Sequence, residues 1–250
     1  MIAGQRVAVV IPAYDEERLV GRTVRSIPAF VDDVIVVDDA SRDATNEAAR
    51  AAGDARLSIV RHDRNRGVGA AIGTGYREAL GRGADVIAVL AGDAQMDPRD
   101  LPAVLQPVLE GRADYAKGNR LGWPGAHRRM PLARFVANHV LSALTRLATG
   151  YRLSDSQCGY TAISRRALGA LDLAAIYPRY GYPNDLLGRL AILGAVVVDA
   201  PVRPIYGEER SGITIATAVL RVPAVIARAF FRRVFARRPR PEPLRCESGS

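Results

Sequence analysis

Six carboxylates fall just beyond three apolar runs. Asp15 and Glu16 lie in IPAYDEE (11–17), Asp38 and Asp39 in VVDDASRD (36–43), and Asp93 and Asp97 in LAGDAQMDP (90–98). The runs themselves, VAVVIP, DVIVVDD and DVIAVLA, have the continuous Val, Ile and Ala content of strands buried on both faces. The C-terminal ends of such strands line one crevice, where open α/β sheets bind ligands. Carboxylates crowded there need a counter-ion, and a hard divalent cation carrying phosphate oxygens supplies one. Asp93, with the Gln95 amide two residues on and Asp97 beyond, offers oxygen donors suited to Mg2+ or Mn2+. Pro12, Tyr14 and Glu16 can hold a base and ribose at a helix start; the alternative is that Asp15, Glu16 and Glu17 serve that helix as cap and dipole partners. Of the pair Asp38 and Asp39, one can take a ribose hydroxyl while the other braces the turn.

The second half carries the cations. Lys117, Arg120, Arg128, Arg129, Arg203 and Arg210 are expected in loops or at strand ends, and the planar fork of Arg120 and Arg210 suits phosphate oxygens best. Only Lys117 of the 35 basic residues is a lysine, a skew that lowers the weight of any single arginine. Asp155 and Asp185 could each act as a base or contact an acceptor; Asn184 and Asp185 could equally cap a helix. NRGVGAAIGTG (65–75) has four glycines but no Gly-Lys-Ser/Thr ending, so it reads as a helix packed closely on the sheet, with Asn65 and Arg66 facing the crevice.

The elements that must position these groups alternate strand and helix. Strands are expected at 7–12, 33–38, 57–61 and 85–91, and helices at 16–27, 43–53, 68–81 and 99–110, with Asp43 or Ser41 capping the second helix and Asp97 the fourth. That is an α/β, doubly wound pattern with a mostly parallel sheet. Strands at 114–119, 160–164 and 195–206 follow, with helices at 131–150 and 184–193 and a Gly/Pro-rich loop at 121–130. A last helix, 213–238, is expected to kink at Pro223.

At 250 residues and 48% hydrophobic content the chain can bury a full core. The net charge is +9, of which +6 lies in residues 213–250. In 213–238, Ile215, Val219, Val222, Ile226, Phe230 and Val234 recur at helical spacing, with Arg221, Arg228 and Arg232 on another face. Such a helix suits an anionic membrane surface; the alternative is packing on the domain or on a partner, with the arginines in water. Cys158 and Cys246 fit a reducing compartment, and the N-terminal stretch has no signal-peptide layout. These features imply a cytoplasmic protein held peripherally on a membrane, organised as a domain over 1–215, a basic helix over 216–238 and a disordered tail over 239–250. A nucleic-acid partner is excluded by the acidic crevice, since phosphates avoid carboxylates without a metal. A nucleotidyltransferase is disfavoured because the loop after the first strand is acidic rather than Gly-rich and basic.

IPAYDEE, VVDDASRDAT, NRGVGAAIGTG, GDAQMDP, GNR and YGEERSG, in this order, resemble glycosyltransferase family 2, and most closely its polyprenyl- and dolichyl-phosphate sugar synthases. The resemblance runs from residue 7 to about 215. It implies a GT-A fold with a Rossmann-like nucleotide half, a GDP- or UDP-hexose donor, a divalent metal, inversion at the anomeric carbon and a polyprenyl phosphate acceptor. By position, Pro12, Tyr14, Glu16, Val37 and Asp39 would hold the nucleoside, and Gly92, Asp93, Gln95 and Arg120 would meet the diphosphate and metal. Arg210 falls where the family has a basic residue. The family's Asp-x-Asp motif stands here as Ala91-Gly92-Asp93, so metal binding would lean on Asp93, Gln95 and Asp97. A lipid phosphate is already an anion and needs no strong base; a hydroxyl acceptor would need Asp185 or Asp155 to take its proton.

Overall fold

The computed structural model describes residues 1–93, 95–205 and 221–236. Seven strands form one sheet: β1 (Val7–Ala13), β2 (Asp33–Asp38), β3 (Leu57–Arg61), β4 (Val86–Val89), β5 (Tyr115–Asn119), β6 (Thr161–Ser164) and β7 (Val197–Pro201). Their order is β3-β2-β1-β4-β6-β5-β7. β6 runs antiparallel to both β4 and β5, and the other pairs are parallel. The helices are α1 (Val20–Ser26), α2 (Thr45–Arg50), α3 (Val68–Gly81), α4 (Leu101–Leu109), α5 (Ala126–Arg129), α6 (Leu132–Thr149), α7 (Arg165–Gly169), α8 (Tyr182–Ile192) and α9 (Val222–Phe235).

The apolar runs become central strands because both faces are covered. Val7, Val9 and Ile11 of β1 pack with α1 and α4 residues such as Val20 and Leu105. Ala8 and Val10 pack on the other face with Ile72 and Tyr76 of α3. Gly75 permits that second contact, since a Cβ there would lie 2.2 Å from Val10 Cγ1. The glycine-rich stretch is thus a packing device, as its sequence implies. Asp97 accepts from the Arg99 N–H and precedes Pro98, capping the turn that leads into α4.

The first helix is shorter than expected, starting at Val20 rather than 16, because the N–H groups of residues 15–17 bond to Ser41, Thr45 and Asp43 at the start of α2 instead. The expected loop 121–130 contains the short α5. Lys117, expected at a loop or strand end, lies fully buried within β5, where its ammonium donates to the Cys158 carbonyl. In α9, Pro223 occupies the first turn, where its missing N–H costs nothing. Residues 213–220 of the expected last helix and the tail 239–250 lie outside the described residues. α9 packs on both α6 and α8. Among the described residues no helix is long and apolar enough to cross a membrane.

Candidate functional site

Backbone bonds zip three strand ends together. The Asp39 N–H donates to the Ala13 carbonyl at 2.9 Å and the Gly92 N–H to the Pro12 carbonyl at 3.3 Å. Gly92 fits this approach because a Cβ there would already sit 3.3 Å from the Pro12 oxygen. Asp93, one residue on, is thereby held beside the loop carrying Tyr14, Asp15 and Glu16. That loop is fixed in turn: Asp15, in the left-handed region at φ 55°, accepts from the Arg42 N–H at 2.8 Å, and the Glu16 N–H donates to Thr45 Oγ1 at 2.8 Å.

The electrostatics of this edge fit a cation. Burial, then repulsion from Asp93, Asp43 and Asp15, pushes the Glu16 carboxyl up to about 7. Burial, then the charges of Asp93 and Glu16, raises the Tyr180 phenol above its ordinary value. Tyr180, in the loop before α8, is therefore near enough to feel both charges. Among the described residues no three His, Cys, Asp or Glu side chains form a metal cage. Mg2+ is commonly held by one or two carboxylates together with substrate phosphates, so this donor set fits an ion that arrives with a diphosphate.

This has a pH consequence. Because the folded value of Glu16 lies above its ordinary 4.5, its ionisation costs stability progressively as pH rises from there through about 7, and nothing below. A divalent cation beside it offsets the repulsion. The rise in Tm on adding Mn2+ is expected to be larger at pH 8 than at pH 5; equal rises would place the ion elsewhere.

Beside Asp93 a small cavity is lined by Gln95, Met96, Arg120, Tyr160 and Arg203. Arg120 is aimed by a fully buried carboxylate: its Nε and Nη2 donate to the two oxygens of Asp155 at 2.8 and 3.1 Å. The Gln95 N–H donates to Asp93 Oδ1 at 3.1 Å, closing the tight loop.

Several expected roles change. Asp39 is buried and braces the entry to α3, accepting from the Arg66 and Gly67 N–H groups at 2.8 and 2.7 Å and bonding His62 Nδ1 at 2.7 Å. Asp38 is also buried and accepts from the Ser41 N–H. Val37 is wholly in the core, where its side chain reaches no crevice. Asp97 does not point to a metal: it pairs with Arg99 at 2.6 Å and Arg203 at 2.9 Å, and these cations, Arg99 first, hold its carboxyl down to about 2. Asp155 is a weak candidate base for the same reason, since Arg120 and Lys117 keep it below the ordinary carboxylate range against the effect of burial. Asp185 accepts from Arg189 at 2.8 Å, Arg228 at 3.0 Å, Arg232 at 2.8 Å and the Tyr177 N–H at 3.0 Å, and so ties α8, α9 and the loop before α8 into one knot. Pro12 and Tyr14 border the crevice, Tyr14 partly exposed. Arg210 lies outside the described residues.

Residues 8–171 match the model of Glycosyl transferase family 2. The chain belongs to glycosyltransferase family 2. Within the family it is 34% identical over 228 residues to the undecaprenyl-phosphate mannosyltransferase of Micrococcus luteus, covering 87% of this chain and 92% of that one. It is 30% identical over 222 residues to the UDP-N-acetylglucosamine–dolichyl-phosphate N-acetylglucosaminyltransferase of Methanococcus voltae, covering 83% and 88%. Among solved structures, glucosyl-3-phosphoglycerate synthase from Mycobacterium tuberculosis, crystallised with Mn2+, UDP-glucose and phosphoglyceric acid, superposes with a TM-score of 0.66 at 26% identity, covering 92% of this chain and 81% of that one. This family 2 glycosyltransferase has the GT-A fold.

Tyr180 and the Asp155 clamp were not read from sequence. The first sits in IYPRYGYPND, whose aromatic content and Gly181 mark a built loop. The second is a pairing across 35 residues that no local spacing reveals.

Proposed function

We propose that this glycosyltransferase transfers a hexose from a GDP- or UDP-sugar to a polyprenyl phosphate with inversion, at the cytoplasmic face of a membrane. The carrying observation is that both candidate bases are gripped by arginines. Asp155 serves Arg120 and Asp185 serves α9, and each carboxyl lies below its ordinary value. With neither of these two carboxylates poised as a base, the site suits an acceptor that is already an anion. The relatives named for transfer to undecaprenyl and dolichyl phosphate support the same acceptor class.

In this reading Tyr14, Tyr180 and the edge of β1 receive the nucleoside and sugar, while Asp93 and Gln95 face the diphosphate. Arg120, aimed by Asp155, supplies the planar cation that meets a phosphate oxygen of the donor or the acceptor. A divalent cation, Mn2+ or Mg2+, would neutralise charge on the departing diphosphate. The Mn2+ held beside UDP-glucose in the structural neighbour supports this assignment.

Donor identity is tested by metal-dependent hydrolysis or transfer across a panel of UDP- and GDP-sugars. One preferred donor is expected; no turnover with any of them in Mn2+ or Mg2+ would contradict the assignment.

Asp185→Asn separates structure from chemistry. Losing its charge leaves Arg189, Arg228 and Arg232 converging without a counter-ion, a loss of about 3 kcal/mol. For a domain of this size Tm is expected to fall by roughly 6–12 °C. An unchanged Tm with abolished turnover would instead make Asp185 the base of a hydroxyl-directed enzyme.

A further inference from the structure

Lys117 is the one lysine among 35 basic residues, and it is fully buried in β5. A buried ammonium is costly unless paired and hydrogen-bonded, so its place needs a reason. An ammonium is a compact point charge, whereas a guanidinium would bring five N–H groups that each need a buried partner.

The surroundings give the reason. The Lys117 ammonium donates to the Cys158 carbonyl, and Cys158 lines the cavity beside Asp93 together with Arg120 and Tyr160. Lys117 and Asp199 are register partners on β5 and β7, so their side chains share one face of the sheet. Asp199 is a weak counter-ion. It accepts from the Ser154 N–H at 2.8 Å, its Oδ1 is buried without a partner, and burial pushes its carboxyl above the ordinary range. Burial also raises the Cys158 thiol, which therefore stays neutral at neutral pH. Burial pulls the Lys117 ammonium down; Asp155 opposes this more strongly than Asp199 does. Asp155, itself fully buried, thus answers two cations: Arg120 through hydrogen bonds at 2.8 and 3.1 Å, and Lys117 through its field.

The charge count matters for phosphate. A lone Asp155 would cancel the charge of the Arg120 it aims. With two cations on one carboxylate, the trio keeps one net positive charge. Of the three, only the Arg120 side chain has any exposure, and it lines the cavity. We infer that Lys117 is a positioning residue for phosphate: its buried ammonium shares Asp155 with Arg120, leaving the Arg120 guanidinium cationic toward the cavity. This rests on the reading that Arg120 meets phosphate, and it adds the group that sustains the charge there. If Lys117 served only the packing of β5, removing its charge without changing its volume would leave phosphate affinity untouched.

The single lysine supplies its own probe. Isotope-labelled lysine gives one side-chain signal by NMR in the full chain, and inorganic pyrophosphate with Mg2+ replaces the unidentified donor and acceptor. At neutral pH the parent signal is expected to be that of a charged ammonium and to move as pyrophosphate is added. Lys117→Met fills the same space without charge, a change that is often neutral for stability. It is expected to keep the native circular dichroism and to bind pyrophosphate about tenfold more weakly, with Arg120→Gln weakened at least as much. A neutral amine in the parent, a lysine signal indifferent to pyrophosphate, or parent-like affinity in Lys117→Met beside weakened Arg120→Gln would overturn the inference. If Lys117→Met does not fold, the parent lysine signal decides alone. Parent-like affinity in Arg120→Gln would instead remove phosphate from Arg120, and with it the reading on which this inference rests.

Discussion

Asp93→Asn is expected to lower sugar transfer by ~10²–10³-fold or more, with the fold intact. The strand-end bonds from Gly92 to Pro12 place this carboxylate at the mouth of the crevice, where Glu16 and Tyr180 both feel its charge. Its removal leaves Gln95 without the carboxylate that the proposed cation needs. It also relieves repulsion on Glu16, so the variant should be no less stable than the parent when metal is absent. Turnover with added donor, read beside thermal unfolding in chelator, checks both parts. Full activity in Asp93→Asn would remove the metal and diphosphate from this edge.

Arg120 carries the second large effect. Arg120→Lys keeps the charge and discards the planar fork, so it can neither pair bidentately with Asp155 nor present a second aligned donor to phosphate. A fall in kcat/KM of about 10²-fold is expected with little change in Tm. Asp155→Asn should act differently. The carboxylate is fully buried and answers both Arg120 and the buried Lys117, so its loss should cost ~3–5 kcal/mol as well as activity. Comparing the two variants separates the group that meets phosphate from the group that aims it. Unchanged kinetics in Arg120→Lys would make Arg120 an ordinary partner of Asp155.

The parallel half of the sheet was legible because strands buried on both faces must be continuously apolar, as VAVVIP and DVIVVDD are. The acidic edge was legible because those strands end at known residues. The antiparallel insertion of β6 was not, since TAIS reads the same in either direction. Asp97 and Asp155 misled for one reason: a carboxylate's availability depends on which arginine folds onto it, and Arg203 and Arg120 come from distant segments. In α9 the periodicity groups Val222 and Ile226, which do turn inward, without showing that Arg228 and Arg232 at its flank fold onto a carboxylate of another helix. That carboxylate is Asp185, in α8. In α6 the polar side chains find buried partners in the 154–157 loop and in α8, so the usual rule that apolar residues point inward is reversed along one helix.

The central claim is transfer to a phosphate that needs no base. The most direct measurement incubates the full chain, Mn2+ or Mg2+ and a labelled nucleotide-hexose with either a short polyprenyl phosphate or the matching unphosphorylated polyprenol. The account predicts metal-dependent formation of a glycosyl-phosphate lipid from the first and no product from the second. Equal or faster transfer to the polyprenol, or to a small soluble hydroxyl compound while the polyprenyl phosphate stays untouched, would contradict it.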